Sequence, residues 1–206
     1  MDITANDYLN LPVYANLFSC SPGRLPMSEI VERMRDVDRK EDLFFVPTAI
    51  VKMPLCRLVG ASPDLTRLTG LVVLVVQNVP GEYHLEELRE RLKGIPYVLA
   101  AFLHWNYRDR LYVIVQTLAA TLPEYVHCHV MLTKFIESYN PPKPHASEKK
   151  AKQWYRVFPH HVNVNDFVKV PFDPMVYYNP KAEVMEVPGG PTDPPPGPSP
   201  KGSSSR

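Results

Sequence analysis

The sequence predicts one α+β domain in which a mainly antiparallel sheet packs against helices. The first observation is an unbroken apolar run, LVVLVVQ at residues 71–77, which is typical of a strand buried on both faces. The second is a pair of apolar segments, residues 97–105 and 110–118, separated by NYRD, which suits a hairpin turn. The third is that segments with helical spacing are interleaved with these strands.

The N-terminal third is predicted to start with a strand-like run at residues 11–19. A helix capped by Ser28 is expected next, over residues 29–39. Its apolar residues share one helical face: Ile30, Val31, Met34 and Val37. Residues 43–50 are predicted as a strand or a short helix edge, because Pro47 leaves the type ambiguous.

The remaining elements follow from spacing and capping signals. A helix is predicted over residues 85–94, with Leu85, Leu88 and Leu92 inward and Gly94 as its stop. A capping box at residues 121–124 opens a helix through Tyr139. Its predicted inward stripe is mostly apolar: Val126, Val130, Lys134, Phe135, Ile136 and Tyr139. A short basic helix is expected over residues 147–158, and a last strand within residues 162–174.

Composition bounds the class of protein. The chain has 206 residues, 45% of them hydrophobic, which is enough for one core, and its net charge of +1 excludes nucleic-acid binding by overall charge. Three scattered cysteines, no leader-like N-terminus and no apolar run long enough to cross a bilayer predict a soluble, cytoplasmic protein without a membrane partner. Residues 1–187 are expected to form the domain, and the Pro/Gly/Ser-rich residues 188–206 a disordered tail.

The end of the 71–77 strand is a position where chemistry is commonly located. Phosphoryl or nucleotidyl transfer would need two carboxylates one residue apart there, facing the same side and sharing divalent ions. The corresponding residues are Val75 and Gln77. Valine cannot bind a hard cation, and one amide oxygen is too little to hold Mg²⁺.

The order of several motifs resembles a known family. The motifs are NLF at 16–18, LTGLVVLVVQNV at 68–79, GIPYVLAAFLHW at 94–105, RLYVIV at 110–115 and VPFDPMVYYNPKAEVMEV at 170–187. Together they resemble the VirE N-terminal, primase-like domains of Bacteroidetes mobile-element proteins. The resemblance implies an archaeo-eukaryotic primase-type fold with an RRM-like core. It also implies single-stranded DNA or RNA, and replication or mobile-element proteins, as partners.

Three departures from that family fall on its polar motifs. Val75 and Gln77 stand where the family has two acidic residues, and the glycine-free HWNYRDR at 104–110 replaces its glycine-containing phosphate loop. No arginine is found near residues 167–169, before the last strand. The resemblance therefore implies a degenerate member that has lost metal and nucleotide binding, and no catalytic residue, cofactor or metal ligand is carried over.

Basic and aromatic residues are concentrated in residues 143–156. Together with two arginines of the 106–110 turn they form the predicted nucleic-acid-binding set: Lys149, Lys150, Lys152, Trp154, Arg156, Arg108 and Arg110. The alternative is a solvated helix face with Trp154 packed inward. Similarly, His104 and Trp105 could stack on a base, or form a core tryptophan with a satisfied histidine.

The function predicted from these observations is a non-catalytic, primase-like accessory module that binds nucleic acid in a mobile-element or replication setting. One alternative is a protein-interaction scaffold. Another is a divergent nucleotidyl-transfer enzyme using Asp109, Asp166 or Asp173 with His104 or His161. A metal site at His127, Cys128 and His129 is disfavoured, because adjacent helical positions point roughly 100° apart. The pair at 160–161 has no partner pattern, and Cys128 is expected to be a small buried residue.

Overall fold

The computed structural model describes residues 10–16, 18–19, 21–50, 67–78, 84–139, 155–157 and 167–186. The strands within these ranges are β1 Asn10–Tyr14, β2 Gly23–Pro26, β3 Phe44–Phe45, β4 Ala49–Ile50, β5 Arg67–Leu68, β6 Leu71–Asn78, β7 Val98–Leu103, β8 Arg110–Gln116, β9 Tyr155–Val157, β10 Val168–Lys169 and β11 Tyr177–Tyr178. The helices are α1 Met27–Arg35, α2 Leu85–Leu92 and α3 Leu122–Glu137. The tail expected over residues 188–206 lies outside the described residues.

The larger sheet has five strands in the order β11-β7-β8-β6-β9, and every neighbouring pair is antiparallel. The β7–β8 hairpin and the long strand β6 confirm the predictions made from the three apolar segments. Leu71–Val76 are all buried, as the unbroken apolar run predicts. Gly70, just before β6, has a φ of +83°, and a Cβ there would lie 2.7 Å from the carbonyl oxygen of Thr117.

A second antiparallel sheet has four strands in the order β10-β3-β1-β2, and β4 and β5 form a separate two-stranded pair. The strand expected over residues 11–19 ends at Tyr14. Pro47 lies between β3 and β4, so residues 43–50 supply two short strands in different sheets rather than one. Proline cannot donate to a ladder, which explains the interruption.

The two faces of the five-stranded sheet bury two separate cores. Val73 and Val75 of β6 belong to the core that also contains residues of β1, β3 and α1. Val72, Leu74 and Val76 face the other way, into the core that contains α2 and α3. The described residues thus form one α+β domain with mainly antiparallel sheets, as predicted, whereas the primase-like identity of the fold stays a prediction.

The start and the end of helix α1 require two corrections. Helix α1 begins at Met27 and follows Pro26, so Ser28 lies inside its first turn and is not the cap; the N-cap residue, Pro26, has no side-chain group that can accept a capping hydrogen bond. Val37 lies beyond the end of α1 and is exposed, although Ile30, Val31 and Met34 are buried as predicted. The predicted helix over residues 85–94 is confirmed as α2, with its three leucines buried.

The capping box of α3 is confirmed, because the Thr121 side chain accepts from the Glu124 amide and the Glu124 carboxylate accepts from the Thr121 amide. The first half of the predicted inward stripe is wrong, since Val126, Val130 and Lys134 are exposed. Its second half is confirmed, since Ile136 is buried and Phe135 and Tyr139 pack, partly buried, against the same core. The face that packs on the sheet is instead made of Tyr125, Cys128, His129, Leu132 and Ile136. The rings of Tyr125 and His129 help to fill that core, and a pattern based on aliphatic residues alone does not identify them.

Residues 155–157 form strand β9, where a basic helix was predicted. Tyr155 and Val157 point into the core beside α2 and α3, and Arg156 points to solvent. This alternation suits a strand, and pairing with the edge of β6 satisfies the backbone. Tertiary pairing has here overridden local helix propensity.

Candidate nucleic-acid interface

Two of the predicted binding residues lie in one row across the five-stranded sheet. Gln77 on β6 is directly opposite Arg110 on β8 and Arg156 on β9. Residues opposite one another in antiparallel strands project from the same face, so both arginines leave the sheet on the side of Gln77. Two strand spacings, roughly 10 Å, separate the arginine Cα atoms. Gln77 and Arg110 are half-buried and Arg156 is exposed, so the row lies at the margin of the inter-sheet core.

Val75 and Gln77, the residues that the sequence singles out at this strand end, both make structural contacts. Val75 is fully buried in the core between the two sheets. The side-chain amide of Gln77 donates to the Asp109 carboxylate over 2.7 Å. The backbone amide of Asn78 donates to the backbone carbonyl of Asp109 over 2.8 Å. These contacts tie the β7–β8 turn to the end of β6, which is a structural use of the position.

The turn at residues 104–109 presents aromatic rings to solvent. Trp105 is 49% exposed and Tyr107 is 44% exposed. The interpretation of Trp105 as a core residue is therefore wrong. His104 lies between two rings, with its centroid 5.0 Å from that of Tyr112 and 6.0 Å from that of Trp105, both in stacked geometry. The turn thus supplies flat apolar surface beside the arginine row.

Cationic groups border these rings. The Arg110 guanidinium lies over the Tyr107 ring, 3.9 Å from its centroid, and the Lys169 ammonium lies 5.1 Å from the centroid of Trp105. Both distances are within the range of a cation–π interaction. Lys169 also forms an ion pair with Asp42 over 2.7 Å. Arg108 is exposed in the same turn.

A buried ion pair holds the base of the turn. Asp173 and Arg89 are both buried and are joined over 3.2 Å. The Asp173 carboxylate also accepts from the amides of Leu103, over 2.8 Å, and Met175, over 3.0 Å. Since Leu103 immediately precedes His104, this carboxylate fixes the point where β7 leaves the sheet. These contacts give Asp173 a structural role at the base of the turn.

The structure brings together only part of the predicted set. Arg108, Arg110 and Arg156 converge near the β7–β8 turn and the edge strand β9. Four other members lie outside the described residues: Lys149, Lys150, Lys152 and Trp154. Sequence reasoning missed Lys169 and Tyr107. Tyr107 could have been found from its place in the turn, but Lys169 comes near Trp105 only through tertiary packing.

The residues of the His127–Cys128–His129 motif do not share one face of the helix, as helical geometry predicts. His127 is exposed, whereas Cys128 and His129 are buried, and burial raises the pKa of the Cys128 thiol. Within the described parts of the chain, no three histidine, cysteine, aspartate or glutamate side chains are grouped to hold a metal ion. His160, His161 and Asp166 are outside those parts.

Comparison of the chain with protein-family models, with curated proteins and with solved structures finds no match to any of them. Of the helices in the described ranges, none combines the length and the apolar composition needed to cross a bilayer.

Proposed function

We propose that this chain is a non-catalytic, primase-like accessory domain that binds single-stranded DNA or RNA. The observation that carries the proposal is the arginine row, Arg110 and Arg156 about Gln77, beside the exposed rings of Trp105 and Tyr107. Guanidinium groups contact phosphates, and exposed rings stack on unpaired bases. Duplex bases are already stacked and paired, so single strands suit this surface better.

The non-catalytic part of the proposal is supported by the residues at the end of β6. Val75 is buried in the core, and Gln77 is engaged with Asp109. Asp173, one of the carboxylates considered for an enzyme, is buried against Arg89. Mg²⁺-dependent primer synthesis or nucleotidyl transfer by the purified chain would refute this part of the proposal.

The binding part is tested by fluorescence anisotropy with labelled single-stranded DNA, single-stranded RNA and duplex DNA. Phosphate contacts from Arg108, Arg110 and Arg156 alone contribute about −2 to the slope of log affinity against log salt. Affinity should therefore fall at least about 20-fold between about 50 and 200 mM salt. Absence of single-strand binding at the lower salt concentration would refute the proposed function.

A protein-interaction scaffold is the second candidate, and one feature favours it. Leu122, Val126 and Val130, which recur every four residues along α3, are all more than one third exposed. Their spacing places them on one helical face. Val126→Glu combined with Val130→Glu should leave single-strand binding unchanged if nucleic acid is the ligand, because this face belongs to a helix on the opposite side of the sheet from the arginine row.

A further inference from the structure

An aromatic stack runs from the inter-sheet core to solvent. Its successive ring centroids are 6.3 Å apart for Phe45 and Phe102, 5.4 Å for Phe102 and Tyr112, 5.0 Å for Tyr112 and His104, and 6.0 Å for His104 and Trp105. Phe45 and Phe102 are fully buried, Tyr112 is 5% exposed and Trp105 is 49% exposed. The stack is therefore anchored at one end and ends in an accessible indole at the other.

Backbone contacts hold the His104 ring in place. The Asn106 amide donates to Nδ1 of His104 over 3.1 Å, and the His104 amide donates to the Arg110 carbonyl over 3.0 Å. Asp173 holds Leu103, the residue before His104, over 2.8 Å. The Trp105 indole stacks on this fixed ring with centroids 6.0 Å apart, so it has less conformational freedom to lose when a ligand stacks on it, which favours binding.

Lys169 supplies a charge at the end of the stack. Its ammonium lies 5.1 Å from the Trp105 ring centroid and is shared with the exposed carboxylate of Asp42. An ammonium has three donors, so Lys169 can bind a phosphate oxygen while it remains near Asp42. Among the residues that the structure describes, no other lysine or arginine lies over the Trp105 ring.

We infer that Trp105 and Lys169 form a subsite for one nucleotide, in which an unpaired base takes the place of the Lys169 ammonium over the indole and the adjoining phosphate binds the displaced ammonium. This inference rests on the proposed function and deepens it, because it separates a base-reading position from the arginines that contact the backbone alone. The subsite accepts any base, since every base has a face on which to stack.

The test compares two fluorescein-labelled probes of about twelve nucleotides, an oligothymidylate and the same deoxyribose-phosphate chain without bases. Trp105→Ala in the full chain should weaken oligothymidylate binding about 5- to 150-fold. Its affinity for the abasic probe should stay within about twofold of wild type. Trp105→Phe, which keeps a ring, should retain most of the affinity, and it guards against misfolding of the alanine variant.

Lys169→Ala should weaken both probes by a similar factor and should reduce the salt slope by about 0.7. The matched control is Arg24→Ala, which removes an exposed cation from β2 and should leave the affinity for both probes unchanged.

The outcomes separate the two proposals. The base subsite is refuted, and the proposed function stands, if wild type binds both probes and Trp105→Ala leaves both affinities unchanged. The same conclusion holds if Trp105→Ala lowers both affinities equally. If wild type binds neither probe at about 50 mM salt, the proposed function and the subsite both fail.

Discussion

Removing the Asp173 carboxylate should destabilise the protein strongly. The side chains of Arg89 and Asp173 are 2% and 1% exposed, so Asp173→Ala would leave a buried guanidinium without its buried counter-charge. Loss of one partner of a buried pair costs about 3–5 kcal/mol. The amides of Leu103 and Met175 would also lose their acceptor, so we expect a loss of at least about 4 kcal/mol in the free energy of unfolding.

The assay is thermal denaturation followed by circular dichroism. For a chain of this length, about 4 kcal/mol corresponds to a fall of roughly 8–16 °C in Tm. Asp173→Asn keeps an acceptor but loses the charge, so its Tm should lie between those of Asp173→Ala and wild type. The control is Glu86→Ala, which removes the other carboxylate near Arg89, 3.6 Å away but 67% exposed, and should cost no more than about 1 kcal/mol.

A double variant separates the charge from the packing. Arg89→Met combined with Asp173→Leu removes both charges and keeps apolar volume, so it should be more stable than Asp173→Ala alone. A stabilising role of the Asp173 charge opposite Arg89 would be refuted if Asp173→Ala melted within about 2 °C of wild type, or if the double variant were less stable than the single one.

Three further predictions concern the proposed interface and the cores. Arg156→Ala should reduce the salt slope for single-strand binding by about 0.7, so that the loss of affinity between about 50 and 200 mM salt becomes about 2.6-fold smaller than in wild type. Asp42→Asn should tighten single-strand binding, because it releases Lys169 and removes a charge that repels phosphate; anisotropy at low salt measures this. Cys128 should react slowly with a maleimide at about pH 8 in the native protein and quickly in denaturant, because burial shields its thiol and raises its pKa, and peptide mass spectrometry reports that residue alone.

Each of these predictions has a control and a contradicting outcome. Arg156→Lys keeps the charge, so a slope equal to that of Arg156→Ala would contradict phosphate contact. Asp38→Asn removes an exposed carboxylate elsewhere, and an equal gain in affinity would show that Asp42 acts only through net charge. Native labelling of Cys128 as fast as labelling in denaturant would contradict its burial between α3 and the sheet.

The sequence alone determined the central part of the fold. β6, β7, β8 and α2 were all predicted near their observed bounds, because long apolar runs and regular leucine spacing leave few alternatives. The capping box of α3 was likewise a local signal that the structure confirms. The sequence also shows directly that positions 75 and 77 carry no carboxylate. Because side chains two positions apart project from the same face of a strand, Val75 and Gln77 lie on one face.

Tertiary structure decided the elements whose local signals were weak. β9 is a strand because the edge of β6 offers it backbone partners, and α3 buries Tyr125 and His129 rather than Val126 because the sheet approaches it from that side. The site depends on such pairings throughout. Arg110 and Arg156 are 46 positions apart along the chain and become neighbours only across Gln77. Lys169 reaches Trp105 because β10 pairs with β3, and no local pattern encodes a contact that two sheets create by packing together.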